Sequence, residues 1–247
     1  MTAHSLHGIG FLIALPDEAR SLHPAKLTFD ALTQLPGGHW LTVSGAGPAH
    51  AARAATRLLE QGVAGLVSWG CAAALNPGLR PGDLLLPKRI LAADGEVLAI
   101  PPDWRDRFAR ATADRIGVCS GILVESNGLV ADVAAKQSIH AITGADGLDM
   151  ESSALARVAR DAGLPFLAVR AVADHARMGL PDCVTAALDG RGAVHLPTLL
   201  GHALRRPTQF VHLIRLGWAF GAAMRTLRLA AQLAGPDFLL TPPAADH

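Results

Sequence analysis

The stretch LDMESSALARVARDAGLPFLAVRAVADH occupies residues 148–175 and carries two structural signals in succession. Apolar residues first recur at helical spacing, up to a stop at Gly163 and Pro165. The run Phe166–Val172, which is apolar except for Arg170, follows at once, and its length and composition are typical of a buried strand. A helix that leads directly into a buried strand indicates an α/β protein.

The chain on either side of this stretch continues the alternation. Short apolar runs predict strands at Ile9–Leu15, Trp40–Val43, Leu66–Trp69, Leu84–Leu86 and Gly121–Val124. Helical periodicity predicts helices at Ala49–Gln61, Trp104–Ile116 and Ala131–Ile142. Residues Met178–Pro197 are typical of a loop region, in which Val184–Leu188 is a candidate short helix. We therefore expect one α/β domain over residues 1–206, with a sheet covered on both faces.

The last part of the chain has a different pattern. Residues Thr208–Leu233 form one long helical pattern with an apolar and a basic side. The arginines in and just before it are Arg205, Arg206, Arg215, Arg225 and Arg228. We expect residues 207–247 to form an amphipathic helical extension packed on the same domain, with its basic face in solvent. Peripheral contact with the inner membrane surface, or with a partner, is the alternative that stays open.

Composition excludes several classes of protein. Half of the residues are apolar and 17% are charged, a balance that excludes disorder along the whole chain. The net charge of +1 comes with no interleaved basic and aromatic pattern, so we expect no nucleic-acid partner. Three cysteines without a CxxC pair indicate a reducing compartment, and no export signal is evident, so we expect a cytoplasmic protein. The eleven histidines show no metal-ligand spacing, and we expect no metal.

Acidic residues stand at two places where an α/β sheet binds ligands. Asp149 and Glu151 flank Met150 at a predicted helix start, and Asp174 ends the predicted strand. One helix and one strand separate Glu151 from Asp174, which brings both to the carboxyl rim of the sheet. Simpler explanations exist for each alone: acids favour a helix N-terminus, and Asp174 could cap a turn or pair with Arg170.

Two loops that follow predicted strands are further candidates. Residues Ser44–Pro48 (SGAGP) precede an alanine-rich helix, where backbone N–H groups can hold an anion or a sugar hydroxyl. They lack the third glycine of a dinucleotide fingerprint and the lysine of a P-loop, and a tight turn without a ligand explains them equally well. Residues Pro16–Arg20 place charges directly after the first strand, where loops often carry function. A solvated helix start is the simpler explanation there.

Three segments together resemble a known enzyme family: SGAGPAHAA at 44–52, GLVSWGCAAALNPGLRPGDLLLP at 65–87, and the stretch at 148–175. Over roughly residues 8–175 the chain resembles the nucleoside phosphorylases and 5′-methylthioadenosine/S-adenosylhomocysteine nucleosidases. The resemblance implies a three-layer α/β/α fold with a central mixed, twisted sheet, and an enzyme that cleaves an N-glycosidic bond. It also implies a homodimer or larger assembly and a small-molecule nucleoside substrate.

The resemblance assigns roles to individual residues. Glu151 would hold the ribose 2′- and 3′-hydroxyls, Met150 would pack against the sugar, and Asp174 would hydrogen-bond or protonate purine N7. Gly47 and Gly70 would also contact the substrate. These residue types suit the reaction, because a cationic sugar needs nearby negative charge and a leaving purine needs a proton. Asp174 meets that second need only if burial raises its pKa.

The acceptor of the sugar depends on the loop after the first strand. Glu18 aligns with the glutamate that handles water in the nucleosidases. Arg20 aligns with a phosphate-binding arginine of the phosphorylases, where Ser44 would be a second phosphate contact. We favour phosphate as co-substrate, with no other cofactor, and therefore a glycosyltransferase of the phosphorylase type. A hydrolytic nucleosidase is the alternative, and a non-catalytic nucleoside-binding module is a third that the pair of Glu151 and Asp174 argues against.

Three further features of the sequence make the resemblance more specific. ALPDEARSL at 14–22, GLDMESSALARVA at 147–159 and the arginine-rich C-terminal helix are most similar to the hopanoid-associated phosphorylases. This implies adenosylhopane as a 5′-substituted, lipid-linked adenosine, with release of adenine and a phosphorylated ribosyl hopane in hopanoid biosynthesis. The cationic helix would then lie near a lipid-borne substrate.

One segment departs from the family pattern. Where relatives usually have Thr or Val followed by a Gly-Ser-Ala-Gly run in a loop, residues Trp69–Ala73 read WGCAA, so the serine hydroxyl is lost. This weakens any role of that loop in binding phosphate through a side chain. We expect Cys71 to be a buried small residue, and not a nucleophile, because no histidine partner can be named for it.

Overall fold

The computed structural model describes residues 7–192 and 209–240. Its strands are β1 (Gly10–Ile13), β2 (Leu32–Gln34), β3 (Trp40–Val43), β4 (Leu66–Ala74), β5 (Leu84–Leu85), β6 (Arg89–Leu91), β7 (Val97–Ala99), β8 (Val118–Cys119), β9 (Ile122–Glu125), β10 (Gly147–Asp149) and β11 (Phe166–Asp174). Its α-helices are α1 (Pro16–Ala19), α2 (Pro48–Leu59), α3 (Pro102–Thr112), α4 (Val133–Thr143), α5 (Ser152–Asp161), α6 (Asp182–Thr185) and α7 (Gln209–Ala234). A 3-10 turn covers Pro36–Gly38.

All of these strands belong to one sheet that divides at β4. One path runs β2-β3-β1-β4-β10-β9-β6-β7, and β11 pairs with the other edge of β4 and leads to β5 and β8. The pairs β1/β3, β1/β4 and β4/β11 are parallel, whereas β4/β10, β5/β11, β2/β3 and β6/β7 are antiparallel. The predicted mixed sheet is therefore confirmed.

The two faces of the sheet bury separate apolar cores because side chains alternate along each strand. In β1, Phe11 and Ile13 join a core covered by α3 and α7, whereas Leu12 joins a core covered by α2 and α5. In β11, Val169 and Ala168 divide in the same way. The helices thus cover both faces, and the predicted three-layer α/β/α architecture is confirmed.

The C-terminal helix is present as α7. It packs against β11 and α3 and contributes Ala223, Met224 and Leu227 to the core. The expected boundary between residues 206 and 207 lies outside the described residues. Within 7–192 and 209–240, no helix is both long and apolar enough to cross a membrane.

Several elements differ from the prediction. The strands β2, β6, β7, β8 and β10 span only two or three residues each, too few to show a period in the sequence. The larger difference is β4, which continues through Cys71–Ala73 instead of ending in a loop there. These residues stay in the strand because their backbone pairs with β11, and Ala73 also pairs with β10 on the other side. The expectation that this run is a loop was wrong.

Candidate functional site

The candidate site lies where the carboxyl halves of β4 and β11 run side by side. Arg170 is in register with Gly70, and Asp174 with Ala73. The register shifts between Val172 and Asp174, an irregularity of the kind that re-aims a side chain at the end of a strand. Two charged side chains of one buried strand thereby enter the same rim of the sheet.

Arg170 forms the centre of one end of the site. Its guanidinium is 1% exposed, and Nη2 lies 2.7 Å from Asp149 Oδ2 and 3.7 Å from Glu151 Oε2. Nη2 also donates to Ser68 Oγ at 2.6 Å, and Nε donates to Ser152 Oγ at 3.2 Å. Burial opposes the charge, but these carboxylates hold the pKa of Arg170 above its ordinary value. A fixed positive charge thus organises the acids around it.

Glu151 occupies the N-cap position of α5, yet its side chain does not cap that helix. Its Oε1 instead accepts a hydrogen bond from the backbone N–H of Gly47 at 2.9 Å. Burial raises the pKa of Glu151 to about 7; Arg170 acts against this shift and Asp149 adds to it. Glu151 thus stands at a helix start, but its carboxyl group contacts Gly47 and Arg170 and does not cap its own helix.

Glu18 enters the same end of the site from α1. Its Oε1 accepts from Cys71 N at 2.8 Å and its Oε2 from Leu15 N at 3.1 Å. Burial raises its pKa even though Arg170 pulls in the opposite direction. A Cβ atom at Gly70 would lie 2.7 Å from Arg170 Nη1 and 2.9 Å from Glu18 Oε1, so only glycine leaves room for the two side chains to meet there.

Asp174 forms the other end of the site with a lysine that the sequence did not single out. Its Oδ1 accepts from Ala74 N at 3.1 Å, and its Oδ2 forms an ion pair with Lys136 Nζ of α4. Lys136 is fully buried, and its Nζ also donates to the carbonyl of Met178 at 3.0 Å. Burial raises the pKa of Asp174, and Lys136 offsets part of that rise. The required raised pKa of Asp174 is thus present.

Two basic residues of the site were missed by sequence reasoning. Arg170 was considered only as a partner of Asp174, but it pairs with Asp149 and Glu151 instead. A signal for it existed, since Arg170 interrupts the apolar run of β11 and a charge inside a buried strand requires a partner. Lys136 offered no comparable signal, because one lysine on a helix is normally solvated.

The residues expected to bind phosphate lie in other surroundings. Ser44 Oγ donates to the carbonyl of Gly45 at 2.7 Å, and the N–H groups of Gly45 and Ala46 donate to backbone carbonyls of Ala14 and Arg191. Gly47 N donates to Glu151. The three N–H groups of this turn are therefore all hydrogen-bonded to other parts of the protein.

Arg20 is exposed, and its Nη1 lies 3.9 Å from Asp17 Oδ1. The phosphate-binding roles of Ser44 and Arg20 stay predictions, as do the substrate contacts of the half-buried Met150.

Cys71 lies between the two ends of the site without a reactive environment. Burial and the neighbouring Glu18 raise the pKa of its thiol well above the ordinary value, so it stays protonated at neutral pH. Its contribution is the backbone N–H that holds Glu18. In the described part of the chain, no group of three or more Cys, His, Asp or Glu side chains could hold a metal ion.

The site as a whole holds more buried acid than base. Its carboxyl groups are Glu18, Asp149, Glu151 and Asp174, and its cations are Arg170 and Lys136. Such an arrangement can accept hydroxyl protons, stabilise a ligand that becomes positively charged, and supply a proton from a group with a raised pKa.

The fold of this chain is similar to those of several solved structures. The 5′-methylthioadenosine/S-adenosylhomocysteine nucleosidase of Helicobacter pylori superposes with a TM-score of 0.66 at 16% identity, over 93% of this chain and 97% of that one. The Campylobacter jejuni nucleosidase gives a TM-score of 0.64 at 18% identity, over 92% and 98%. Futalosine hydrolase of Helicobacter pylori gives 0.65 at 17%, over 92% and 95%. At these identities the likeness shows the fold alone.

Sequence comparison supplies the family. No curated protein matches the chain. The family profile of the phosphorylase superfamily matches residues 36–182, which is more than half of the chain and includes Glu151, Arg170 and Asp174. The chain therefore belongs to the phosphorylase superfamily.

Proposed function

We propose that the protein cleaves the N-glycosidic bond of an adenosine-type nucleoside. The observation that carries this proposal is the pairing of Asp174, a buried acid of raised pKa, with Lys136 at one end of a site whose other end is lined by acids. In the reaction, Asp174 gives a proton to the leaving purine while the C1′–N9 bond breaks. The carboxylate that remains is stabilised by the Lys136 ammonium, which makes Asp174 a stronger acid at that moment.

The sugar occupies the other end of the site in this proposal. Glu151, once ionised, accepts hydrogen bonds from the ribose 2′- and 3′-hydroxyls and opposes the positive charge that develops on the sugar. Gly47 N and Arg170 hold its carboxylate in place from two sides. Because the pKa of Glu151 is about 7, its carboxyl group loses its proton at little cost in free energy when ribose binds near neutral pH.

Water is the acceptor that the geometry supports best. Glu18 is buried beside Arg170, is fixed by two backbone N–H groups, and has a raised pKa, as a base that takes a proton from water requires. A phosphate dianion would meet a cation, Arg170, that already serves Asp149 and Glu151. Hydrolysis would place the water oxygen on C1′ and its proton on Glu18, and would give free adenine and a ribose.

Phosphorolysis, favoured by the sequence, is the second candidate, and one observation supports it. The guanidinium of Arg20 is 54% exposed and only loosely paired with Asp17, so it is available to a phosphate that approaches from solvent. In that case the product would be a sugar 1-phosphate and the chain a glycosyltransferase.

The nucleoside is proposed to carry a 5′ substituent. The sequence resemblance favours a lipid-linked one, adenosylhopane, and a role in hopanoid biosynthesis. A 5′-methylthio or S-homocysteinyl group is the alternative, in line with the names of the similar solved structures.

The experiment is adenine release from adenosylhopane, from 5′-methylthioadenosine and from adenosine, each with and without inorganic phosphate, with the sugar product weighed by mass spectrometry. Release that does not depend on phosphate, with an unphosphorylated ribose that keeps any 5′ substituent as product, supports Glu18 as the base for water. Phosphate-dependent release of a sugar 1-phosphate establishes phosphorolysis. No adenine from any of the three nucleosides would refute the proposed function.

A further inference from the structure

The first half of α7 exposes a row of large apolar side chains. Val211, Ile214 and Trp218 are 54%, 57% and 74% exposed. Their spacing of three and four residues places them on one face of the helix. Of the six large apolar residues that are exposed in the described chain, three lie on this one face, and the others are scattered as Val97, Leu129 and Ile142. A contiguous apolar row on a surface indicates a contact.

This row points away from the domain. The side chains that α7 buries include Ala223, Leu227 and Ala230, which are fully buried. At about 100° per residue, they centre on a direction roughly opposite to that of Ile214 and Trp218. The apolar row is therefore additional to the face that packs on β11 and α3, and the described part of the chain leaves it uncovered.

The same exposed face is basic. Arg215, Arg225 and Arg228 are exposed, and by helical phase they flank the apolar row or extend it toward the C-terminus. Between Asp189 and Asp237 the sequence has six arginines and neither an acidic residue nor a lysine: Arg191, Arg205, Arg206, Arg215, Arg225 and Arg228. A segment with this composition is attracted to an anionic surface and has no acidic residue that could bind a cationic one.

We propose that this face of α7, formed by Val211, Ile214, Trp218 and the flanking arginines, docks the protein onto an anionic phospholipid membrane. Aliphatic side chains and one tryptophan at the level of the headgroups, with arginines paired to lipid phosphates, are the parts of an interfacial helix. A second copy of the chain is a poorer occupant, because a two-fold contact would bring the same arginines opposite one another without acids to pair them.

The test is co-sedimentation of the full chain with vesicles of phosphatidylcholine alone and of phosphatidylcholine mixed equally with phosphatidylglycerol. We expect about tenfold more protein on the anionic vesicles, a difference that salt reduces. Trp218→Ser and Arg215→Gln should each lose most of the binding. Ile142→Ser is the matched control, because Ile142 is 81% exposed near the end of a different helix, α4, and its replacement should leave binding unchanged.

Two results would overturn the proposal. One is equal sedimentation with both kinds of vesicle, or with neither. The other is a wild-type chain whose oligomeric state, measured by sedimentation velocity, is lowered by Trp218→Ser while vesicle binding does not change, since the face would then be a contact between copies. The test needs no substrate, so its outcome is independent of the proposed reaction.

Discussion

The two ends of the site differ in the balance between buried acids and buried cations. At the end proposed to bind the sugar, called the sugar end below, one cation, Arg170, serves Asp149 and Glu151 and also faces Glu18, so negative charge is in excess. At the end proposed to bind the purine, called the base end below, Lys136 and Asp174 form a pair of one cation and one acid. Because acids outnumber cations at the sugar end, these acids lower their net negative charge by binding protons. At the base end, Asp174 can lose its proton because Lys136 stabilises the carboxylate that remains. The first suits a ligand that becomes cationic, and the second suits a proton donor.

Breaking the base end should have the largest effect. In Asp174→Asn the shape is kept but no proton can be given to the leaving purine, and we expect kcat to fall by about 1,000-fold. The measurement is adenine release at saturating nucleoside, with circular dichroism to show that the fold is retained.

A nucleoside analogue separates loss of the acid from other damage. p-Nitrophenyl riboside has a leaving group that needs no proton, so Asp174→Asn should cleave it nearly as fast as the wild type does. An equal loss with both substrates would mean that Asp174 does not act as the general acid.

Breaking the sugar end should have the next largest effect. Glu151→Gln keeps an acceptor for Gly47 N but removes the negative charge, and we expect kcat/KM to fall by about 100-fold. In the wild type, kcat/KM should rise with pH around the Glu151 pKa of about 7, because the ionised form binds ribose. The variant should lack this rise, as a profile of kcat/KM between pH 5 and pH 9 would show.

Glu151→Gln should also make the free energy of unfolding decline less as pH rises. The folded-state pKa of Glu151 is raised from 4.5 to about 7, so its contribution is fully present below pH 4.5 and is lost as pH rises through about 7. The loss is on the order of 3 kcal/mol. Urea unfolding at pH 5 and pH 8 should show a smaller decline for Glu151→Gln than for the wild type, and an equal decline would place the proton elsewhere.

How far the sequence could predict this site depends on the kind of residue. Glu151 and Asp174 were identified because they stand at a helix start and a strand end, where position alone indicates function. The partners of these acids could not be predicted, since the contact of Lys136 with Asp174 joins residues 38 positions apart across the fold. Glu18 and Arg20 are two positions apart in sequence, and only the tertiary packing makes the first buried and the second exposed.

The fold shows the same division. Segments such as α2 and β3 were predicted almost to their ends, because the apolar residues of each give a signal in the sequence itself. The short strands β6 and β10 pair with β9 and β4, which lie far away in sequence, and β7 pairs with β6 in a hairpin. The extension of β4 to Ala74 belongs to this second kind, and it carries the N–H groups that hold Glu18 and Asp174.

A milder change at the base end should sharpen the contrast. Lys136→Met removes the cation that stabilises ionised Asp174, so Asp174 becomes a weaker acid and we expect kcat to fall about tenfold. Because the pKa of Asp174 then rises further, the decline of activity at high pH should move to higher pH. Lys88→Met is the control, as Lys88 is exposed. A lower kcat with an unmoved pH profile would make Lys136 a packing residue only.

The smallest effect should come from Arg20, which lies outside both ends of the site as they stand in the structure. Arg20→Gln replaces a side chain that is 54% exposed and that, within residues 7–192 and 209–240, pairs only with Asp17 at 3.9 Å, so stability should change by no more than about 0.5 kcal/mol. If water is the acceptor, kcat/KM should change less than about twofold, because Glu18 keeps both of its backbone donors. If phosphate is the acceptor, KM for phosphate should instead rise about tenfold or more with little change in KM for the nucleoside, the signature of one lost charge-assisted contact. Initial rates over a range of phosphate concentrations distinguish the two cases, and they do so with both ends of the site intact.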